Sequence, residues 1–298
     1  MLNESWPWLL SRVSSAILGQ PALGRVSSWL PADALLSRPV MNQTPSTQPP
    51  RAALVTGAAH RIGRAIALAL AEAGHAVAIH TYRSIEQAEA LAEEITVRGG
   101  RAGVVQADLS DHDQTEGVVA AASAAVGALT LLVNNACEFE RDEIGHLDRL
   151  RWDRHFAINL RAPVFLAEAF AAQVLPGTDA SIVNLLDQRV LKPTPLFISY
   201  ALTKSALYAA TTTLAQALAP RVRVNAVAPG PTLKSPRQDA AGFARQSAAV
   251  PLGHGPTPQD IAAAVLYLAD ARSVTGQTIA VDGGQHVSWR TPDADIDE

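Results

Sequence analysis

Two side chains in the second half of the chain have the types and the spacing of a proton-transfer pair. Tyr200 and Lys204 are four residues apart, so on a helix they lie on the same face. A nearby ammonium group lowers the pKa of a phenol from about 10 towards neutrality, which would make Tyr200 a proton donor near pH 7. We therefore predict that these two residues are catalytic.

Asp187, thirteen residues before Tyr200, argues against a simple ketone as the substrate. An ionised Asp187 cannot donate a hydrogen bond, and it would repel a developing alkoxide about 4 Å away by roughly 4 kcal/mol at an effective dielectric constant of about 20. A C=N bond reverses this argument, because hydride addition at carbon leaves a basic nitrogen that takes up a proton. A carboxyl group can share or relay that proton with Tyr200 and accept hydrogen bonds from N–H groups of the substrate. The alternative is a surface acid without a catalytic role.

A glycine-bearing turn, TGAAHRIGRA, follows the first apolar run after the linker. Gly57 and Gly63 flank the turn, which leads into a helical pattern. At such a turn, backbone amides approach a pyrophosphate closely and the dipole of the helix favours negative charge. Because the turn belongs to the first βαβ unit, we predict a dinucleotide-binding site.

The end of the second apolar run, HTYRS, indicates which dinucleotide binds. An NAD site usually has an acid here for the ribose 2′-hydroxyl, whereas an NADP site has positive charge. His80, Tyr82, Arg83 and Ser84 include no acid. Arg83 can form paired hydrogen bonds with a 2′-phosphate, and Ser84 adds a hydroxyl group. We therefore predict NADPH; a merely solvated arginine is the alternative.

Polar residues also end the third and fourth apolar runs. Asp108 lies where it could bind the amino group of adenine, and Asn134 begins the sequence NNA. An asparagine pair can wall the cofactor, or it can serve only to connect strand ends, since buried amides need partners in any case.

The chain alternates short apolar runs with alanine-rich helical patterns from Ala52 onward, which predicts βαβ units. Seven runs predict an α/β fold: a single domain with a doubly wound, Rossmann-type, parallel seven-stranded sheet. Its ligand crevice should lie beyond the carboxyl ends of the strands. The runs are ALVTG, AVAIH, AGVVQAD, LTLLVNNA, ASIVNLL, VRVNAVAPG and QTIAVDGG.

The composition of the 298 residues excludes several classes of protein. A net charge of −4 without a long basic block argues against nucleic-acid binding. Cys137 is the only cysteine, which excludes an internal disulfide and a cysteine-built zinc site and favours a reducing compartment, the cytoplasm. No apolar run approaches the roughly 18 residues of a membrane span, and no metal-binding set is identified.

Three regions are expected along the chain. Residues 1–50 are an N-terminal extension and linker, residues 51–288 form the Rossmann domain, and residues 289–298 are an acidic tail. The extension has a helical apolar spacing that suits an amphipathic anchor or a leader, but a dispensable segment is the preferred reading. Translation could begin at Met41, just before the linker.

Several ordered motifs together resemble the short-chain dehydrogenase/reductase family over residues 52–286. They are TGxxxxxG, NNA, Asn159 in FAINL, the pair of Tyr200 and Lys204, VNAVAPG and VDGG. Within this family the details resemble the pteridine reductases and the related dihydromonapterin and dihydrofolate reductases. The features typical of that group are Arg61 in the turn, HTYRS, the acid Asp187 in place of serine, and Phe139 after NNA.

The resemblance implies roles for residues that the patterns alone do not assign. Arg61 would reach cofactor phosphate and substrate, Phe139 would stack the pterin against the nicotinamide, and Asn159 would hold a water connecting Lys204 to solvent. Cys137 stands where serine is usual, which puts one hydrogen bond in doubt. The family usually forms dimers or tetramers, here expected to be a homotetramer. The implied cofactor-binding residues are Gly57, Arg61, Ile62, Gly63, His80, Tyr82, Arg83, Ser84, Asp108, Leu109, Asn134, Ala136, Tyr200, Lys204, Pro229, Gly230 and Thr232; the implied substrate-binding residues are Arg61, Cys137, Phe139, Asp187 and Tyr200.

The expected function is reduction of the C=N bond of a dihydropterin or dihydrofolate with NADPH. Asp187, Tyr200, Lys204 and Asn159 would be catalytic. Two alternatives remain: an NADPH-dependent carbonyl reductase that tolerates the acid, and an NADP-binding protein without turnover.

Overall fold

The structure, a computed structural model, describes residues 51–289 of the chain. Within these residues it contains seven β-strands and eight α-helices. The predicted extension and nearly all of the predicted acidic tail lie outside these residues. The strands are β1 (Ala52–Val55), β2 (Ala76–Thr81), β3 (Arg101–Gln106), β4 (Leu131–Asn134), β5 (Ala180–Leu185), β6 (Val222–Pro229) and β7 (Thr278–Val281). The helices are α1 (Arg61–Glu72), α2 (Ile85–Val97), α3 (His112–Val126), α4 (Arg149–Phe156), α5 (Ala162–Gln173), α6 (Ile198–Leu218), α7 (Ala240–Ala248) and α8 (Pro258–Asp270).

All seven strands form one parallel sheet in the order β3-β2-β1-β4-β5-β6-β7. Val55 of β1 pairs with Ile79 of β2 on one side and Val133 of β4 on the other. The strand order reverses between β1 and β4, and in such sheets a ligand crevice lies beyond the carboxyl ends at that point. The predicted doubly wound, seven-stranded sheet is confirmed.

The sheet is covered by helices on both faces. Successive residues of β1 belong to two separate apolar clusters, because side chains alternate across a strand. Leu54 shares one cluster with residues of α3, α5 and α6, and Val55 shares the other with residues of α1, α2 and α8. Every residue of β1, β2, β4 and β5 is buried, as expected of a parallel sheet, so these strands read as continuous apolar runs.

Helix caps explain where several helices begin. The side chains of Asp111 and Asp148 accept hydrogen bonds from the backbone of the first turns of α3 and α4. Thr257 and Asp260 form a capping box at the start of α8. Helix α6 has no such local cap, because it begins after Phe197, whose φ of 60° lies in the left-handed region.

Two further segments are close to the candidate site. A π-helical turn, Ala157–Arg161, links α4 to α5 and contains Asn159. A short 3₁₀ helix, Gln188–Val190, follows Asp187 after β5. Between residues 51 and 289, no helix is both long and apolar enough to cross a membrane.

Candidate active site

The turn after β1 has the backbone that a pyrophosphate site needs. Gly57 has a φ of +61°, which a glycine adopts without strain. A Cβ atom on Gly63 would lie 2.5 Å from the side-chain nitrogen of Asn135 and from the carbonyl of Gly57, so only glycine fits there. The turn is therefore packed tightly against the end of β4 at the N-terminus of α1.

His80 supports this turn instead of presenting positive charge to the cofactor. Its Nδ1 accepts a hydrogen bond from the backbone N of Gly57 (3.1 Å), and its Nε2 donates to the carbonyl of Ala107 (3.2 Å). These partners require the neutral ring, and burial lowers the pKa of His80 from 6.5 to about 4. His80 lines the cavity, so its predicted contact with the cofactor stays a prediction, and its neutral ring leaves the positive charge at this strand end to Arg83.

The end of β2 presents an arginine, which donates one hydrogen bond to the Tyr82 hydroxyl (3.2 Å), and the hydroxyl group of a serine. The guanidinium of Arg83 lies over the Tyr82 ring, 4.6 Å from its centroid, and within residues 51–289 no carboxylate forms an ion pair with it. Ser84 precedes α2, but its hydroxyl does not cap that helix. Both groups are thus positioned to bind an anionic group.

A cavity of about 480 Å³ runs along the carboxyl ends of β1 to β4. Most of the predicted cofactor residues line it, and so do the predicted substrate residues Cys137 and Phe139. The predicted residues in its lining are Gly57, Arg61, Ile62, Gly63, His80, Tyr82, Arg83, Ser84, Asp108, Leu109, Ala136, Cys137 and Phe139. Binding by these residues stays a prediction, but one cavity of this volume brings them together at the ends of four strands.

Asp108 lies at the far end of this cavity and is restrained by its neighbours. Burial raises the pKa of Asp108, but hydrogen bonds from Ser110 to its Oδ1 (2.7 and 2.9 Å) outweigh burial and leave the pKa below its usual value. Arg154 also lines the cavity, with its Nε 2.9 Å from a carboxylate oxygen of Glu138 and a nitrogen 3.9 Å from Asp108. The sequence contained no pattern that would have singled out Arg154.

Asn134 differs from the expectation, because it faces away from the cavity. Its side-chain nitrogen donates to Oδ1 of Asn184 at 2.9 Å, between β4 and β5. Asn135 lines the cavity instead, and its side-chain nitrogen donates to the carbonyls of Thr56 and Gly57 (2.8 and 3.0 Å). The predicted cofactor contact of Asn134 is thus corrected to a structural role, since adjacent residues at a strand end point in opposite directions.

Tyr200 and Asp187 are in direct contact. The Tyr200 hydroxyl lies 2.9 Å from Oδ2 of Asp187, although the two residues come from α6 and from the loop after β5. The same oxygen accepts a hydrogen bond from Nη1 of Arg189 (2.9 Å), and Oδ1 of Asp187 accepts from the backbone N of Arg189 (2.8 Å). Asp187 is therefore part of the site and not an isolated surface acid.

The structure contradicts the predicted lowering of the Tyr200 pKa by Lys204. Burial raises the pKa of Tyr200 well above its usual value of about 10, and the charge of Asp187 raises it further. The Nζ of Lys204 is 5.9 Å from the centroid of the Tyr200 ring and donates to the carbonyl of Leu185 (2.6 Å). Lys204 lies on the same helix face as Tyr200, as predicted. Burial and the charge of Asp187, and not the charge of Lys204, determine the direction in which the pKa of Tyr200 shifts.

Asn159 also has partners that differ from the expectation. Its Oδ1 accepts from the backbone N of Glu138 (2.8 Å), and its side-chain nitrogen donates to the carbonyl of Glu138 (2.9 Å). The buried amide therefore holds the loop that follows β4. Its side-chain nitrogen also donates to the hydroxyl of Thr203 (3.3 Å), whereas Oδ1 keeps a second lone pair, so the predicted water beside Lys204 stays a prediction.

Two aromatic rings form a wall next to Tyr200. Phe139 stacks on Phe197, with ring centroids 4.7 Å apart and an interplanar angle of 12°, and it meets the Tyr200 ring edge-on at 4.6 Å. Phe197 was not predicted. Its spacing of three residues from Tyr200 could have indicated that the two rings lie on the same side of the helix. Cys137, whose side chain is exposed, lies at the start of the same loop as Phe139.

A buried polar cluster holds the start of α6. Asp142 accepts hydrogen bonds from the backbone N (3.2 Å) and the hydroxyl group of Ser199, and thereby caps the helix from a distant loop. Nδ1 of His155 then donates to Ser199, while its Nε2 accepts from the backbone N of Glu140 (3.1 Å). Burial lowers the pKa of His155, which agrees with the neutral ring that these partners require. The cluster connects the Tyr200 helix to the loop of Phe139.

The segment after β6 crosses the site and is attached to both sides of it. Arg61 donates to the carbonyls of Leu233 and Lys234 (3.2 and 3.0 Å), and Arg237 donates to the carbonyl of Phe139 (2.6 Å). Pro229, Gly230 and Thr232 begin this segment and are absent from the lining of the 480 Å³ cavity, as are Asp187, Tyr200 and Lys204. Their contact with a nicotinamide stays a prediction.

A family model matches most of the chain. The model described as enoyl-(acyl carrier protein) reductase matches residues 57–286. An uncharacterized oxidoreductase of Methylorubrum extorquens is 41% identical over 244 residues, 78% of this chain and 97% of the relative. The 3-oxoacyl-(acyl-carrier-protein) reductase FabG of Staphylococcus aureus is 34% identical over 243 residues, 80% of this chain and 98% of the relative.

Solved structures include similar proteins with a bound nucleotide. FolM alternative dihydrofolate reductase 1 from Brucella canis, complexed with NADP, is 51% identical with a TM-score of 0.79, and the match covers 82% of this chain and 96% of that one. A blue fluorescent protein from a metagenomic library, in complex with NADPH, is 34% identical with a TM-score of 0.73, covering 78% and 97%.

Proposed function

The chain belongs to the short-chain dehydrogenase/reductase family, and we propose that it is an NADPH-dependent reductase that converts a dihydropterin or dihydrofolate to the tetrahydro form. The contact between Tyr200 and Asp187 carries this proposal. The 51% identity to a dihydrofolate reductase of the same family supports it.

An acid beside the donor favours nitrogen over oxygen as the proton acceptor. A carboxylate beside Tyr200 opposes the negative charge that forms on the oxygen of a ketone. In the reduction of a C=N bond, the carbon gains a hydride, the electron pair of the π bond moves to nitrogen, and the nitrogen takes the proton of Tyr200. Asp187 can meanwhile accept hydrogen bonds from the N–H and amino groups of the ring. Phe139 and Phe197 provide flat surfaces for that ring.

The residues along the cavity fit NADPH. The backbone amides at the start of α1 suit the pyrophosphate, and Arg83 with Ser84 suits the 2′-phosphate. Asp108, at the end of β3, suits the adenine amino group. When bound, NADPH supplies the hydride, and Tyr200 supplies the proton.

A substrate panel tests the proposal. We expect NADPH oxidation with dihydrobiopterin, dihydromonapterin or dihydrofolate, and turnover at least about 100-fold slower with simple ketones, since repulsion by Asp187 opposes an alkoxide. The similarity to FabG makes carbonyl reduction the alternative. Turnover of ketones alone would refute the proposal, and nucleotide binding without any turnover would favour a non-catalytic NADP-binding protein.

Arg83 is expected to determine the preference for NADPH over NADH. Replacing Arg83 by alanine should raise the dissociation constant for NADPH by about 10- to 100-fold, because a charge-assisted pair with the 2′-phosphate is lost. Binding of NADH, which lacks this phosphate, should change less than about threefold. Fluorescence titration measures both constants. An equal loss for NADH and NADPH would show that Arg83 acts on the fold and not on the phosphate.

We also propose a cytoplasmic homo-oligomer, a dimer or tetramer, acting in pterin or folate metabolism. The single cysteine suits a reducing compartment. Phe165 of α5 and Leu202 and Tyr208 of α6 are large apolar residues that are 36%, 46% and 41% exposed, which suits packing of these helices against another copy. Light scattering of the purified protein would show a monomer if this is wrong.

A further inference from the structure

Arg189 contacts Asp187 at both carboxylate oxygens. Its backbone N lies 2.8 Å from Oδ1 and its Nη1 lies 2.9 Å from Oδ2, the oxygen that also faces the Tyr200 hydroxyl. Both groups of Arg189 can only donate, so they bind the carboxylate form of Asp187. The hydroxyl group of Tyr200 then donates to the same oxygen.

The guanidinium is held at this position from a second side. It lies 5.3 Å from the ring centroid of Phe197 and 5.8 Å from that of Phe139, distances at which a cation is attracted to the face of an aromatic ring. The side chain of Arg189 is 21% exposed and that of Asp187 is 15% exposed, so water screens this pair less than a surface pair. The positive charge is thus fixed between the aromatic wall and the acid.

Loss of the Tyr200 proton places two negative groups side by side, and the positive charge of Arg189 can reduce their repulsion. When the proton moves to a substrate nitrogen, the oxygen of Tyr200 becomes negative beside a carboxylate that is already negative. The charged groups near the pair are Lys204 of α6 and Arg189, and the ionisable thiol of Cys137 lies on the loop after β4. Burial and Asp187 raise the pKa of Tyr200, and Arg189 opposes them. Lys204 directs its ammonium to Leu185.

We propose that Arg189 is a positioning residue that holds Asp187 as a hydrogen-bond acceptor and offsets the negative charge left on Tyr200 when its proton moves to the substrate. This inference rests on the proposed function. It assigns the proton to Tyr200 and the binding of the ring's N–H edge to Asp187, where the sequence left sharing of the proton between them open. It also implies that the reaction needs the charge of Arg189 more than its shape.

Substitution of Arg189 by methionine and by lysine separates charge from packing. With NADPH and the dihydropterin that the wild type reduces best, Arg189→Met should lower kcat about 30-fold, while KM for NADPH changes less than about threefold. Arg189→Lys keeps a positive charge and should recover kcat to within about fivefold of the wild type. Arg98→Met removes an exposed arginine that pairs with Glu72 and Glu94 and should leave kcat unchanged.

A double-mutant cycle with Asp187→Asn tests whether Arg189 acts through Asp187. In the Asp187→Asn background, Arg189→Met should change kcat less than about threefold, because Arg189 has no carboxylate to hold and the negative Tyr200 oxygen no longer forms beside a second negative charge. A 30-fold loss in both backgrounds, or lysine as poor as methionine, would overturn the proposal. Failure of the proposed function differs, because the wild type itself would then leave every dihydropterin unreduced. If Arg189→Met proves unstable, Arg189→Gln, which also removes the charge, takes its place in both backgrounds and is compared with Arg189→Lys in the same way.

Discussion

Replacing Asp187 by serine is expected to lower kcat for a dihydropterin about 100-fold, because the substrate ring loses a charged hydrogen-bond acceptor. The same change should raise turnover of a simple ketone about 10-fold or more, because a hydroxyl group that donates replaces a carboxylate that repels the alkoxide. Initial rates of NADPH oxidation with both substrates measure the two effects. Opposite changes with the two substrates are the signature of Asp187 as a determinant of specificity.

Asp187→Asn is the matched variant for this test. Asparagine keeps the size of the side chain and removes the charge, so it should lose pterin turnover without the full gain in ketone turnover. A variant with serine that keeps or increases its pterin turnover would show that the carboxylate has no catalytic role. Binding of NADPH should be unchanged in both variants, since Asp187 does not line the cavity that we propose for the nucleotide.

Replacing Asp142 by alanine is expected to lower the free energy of unfolding by about 3 kcal/mol, because buried hydrogen-bond donors lose their partner. Asp142 is 2% exposed and accepts from the backbone and the hydroxyl group of Ser199, and α6 has no other side-chain cap. Urea unfolding at pH 7.5, where His155 is neutral, measures the change. We also expect weaker protection of the amide of Ser199 from hydrogen exchange.

Asp148 provides the control for this prediction. It caps α4 by accepting from the backbone N of Arg151 at 2.8 Å, but it is exposed. Asp148→Ala should therefore cost only about 1 kcal/mol, the usual value for a local cap. Equal costs for the two substitutions would mean that the buried contacts of Asp142 with Ser199 add nothing beyond capping.

The sheet could be predicted because its strands are recognisable in the sequence from local patterns of residues. β1, β2, β4 and β5 are buried on both faces and appear as mainly apolar runs, and Gly57 marks the turn where the backbone needs a positive φ. The alanine-rich segments between them are long enough for crossover helices. Alternation of these two patterns leaves few topologies, because crossovers are right-handed.

The individual roles at the site were harder to predict than the location of the site. His80 was predicted only as a cofactor contact, but the structure shows that it also holds the turn, through hydrogen bonds with Gly57 and Ala107. The sequence could not show which of Asn134 and Asn135 faces the cavity. The answer depends on which residue is the last of β4, because side chains alternate between the two faces of the sheet only as far as that residue. Lys204 lies where the spacing predicts, yet burial outweighs its charge at Tyr200.

The order of apolar runs, glycine turns and polar strand ends by itself determined the fold, the family and the edge of the sheet where chemistry takes place, because these depend on local spacing along the chain. Only the tertiary structure decided which groups share a hydrogen bond: Tyr200 with Asp187, Asp187 with Arg189, and Asp142 with the start of α6. Such partners come from separate loops, and burial sets their charge states, so both are properties of the packed molecule and not of any segment.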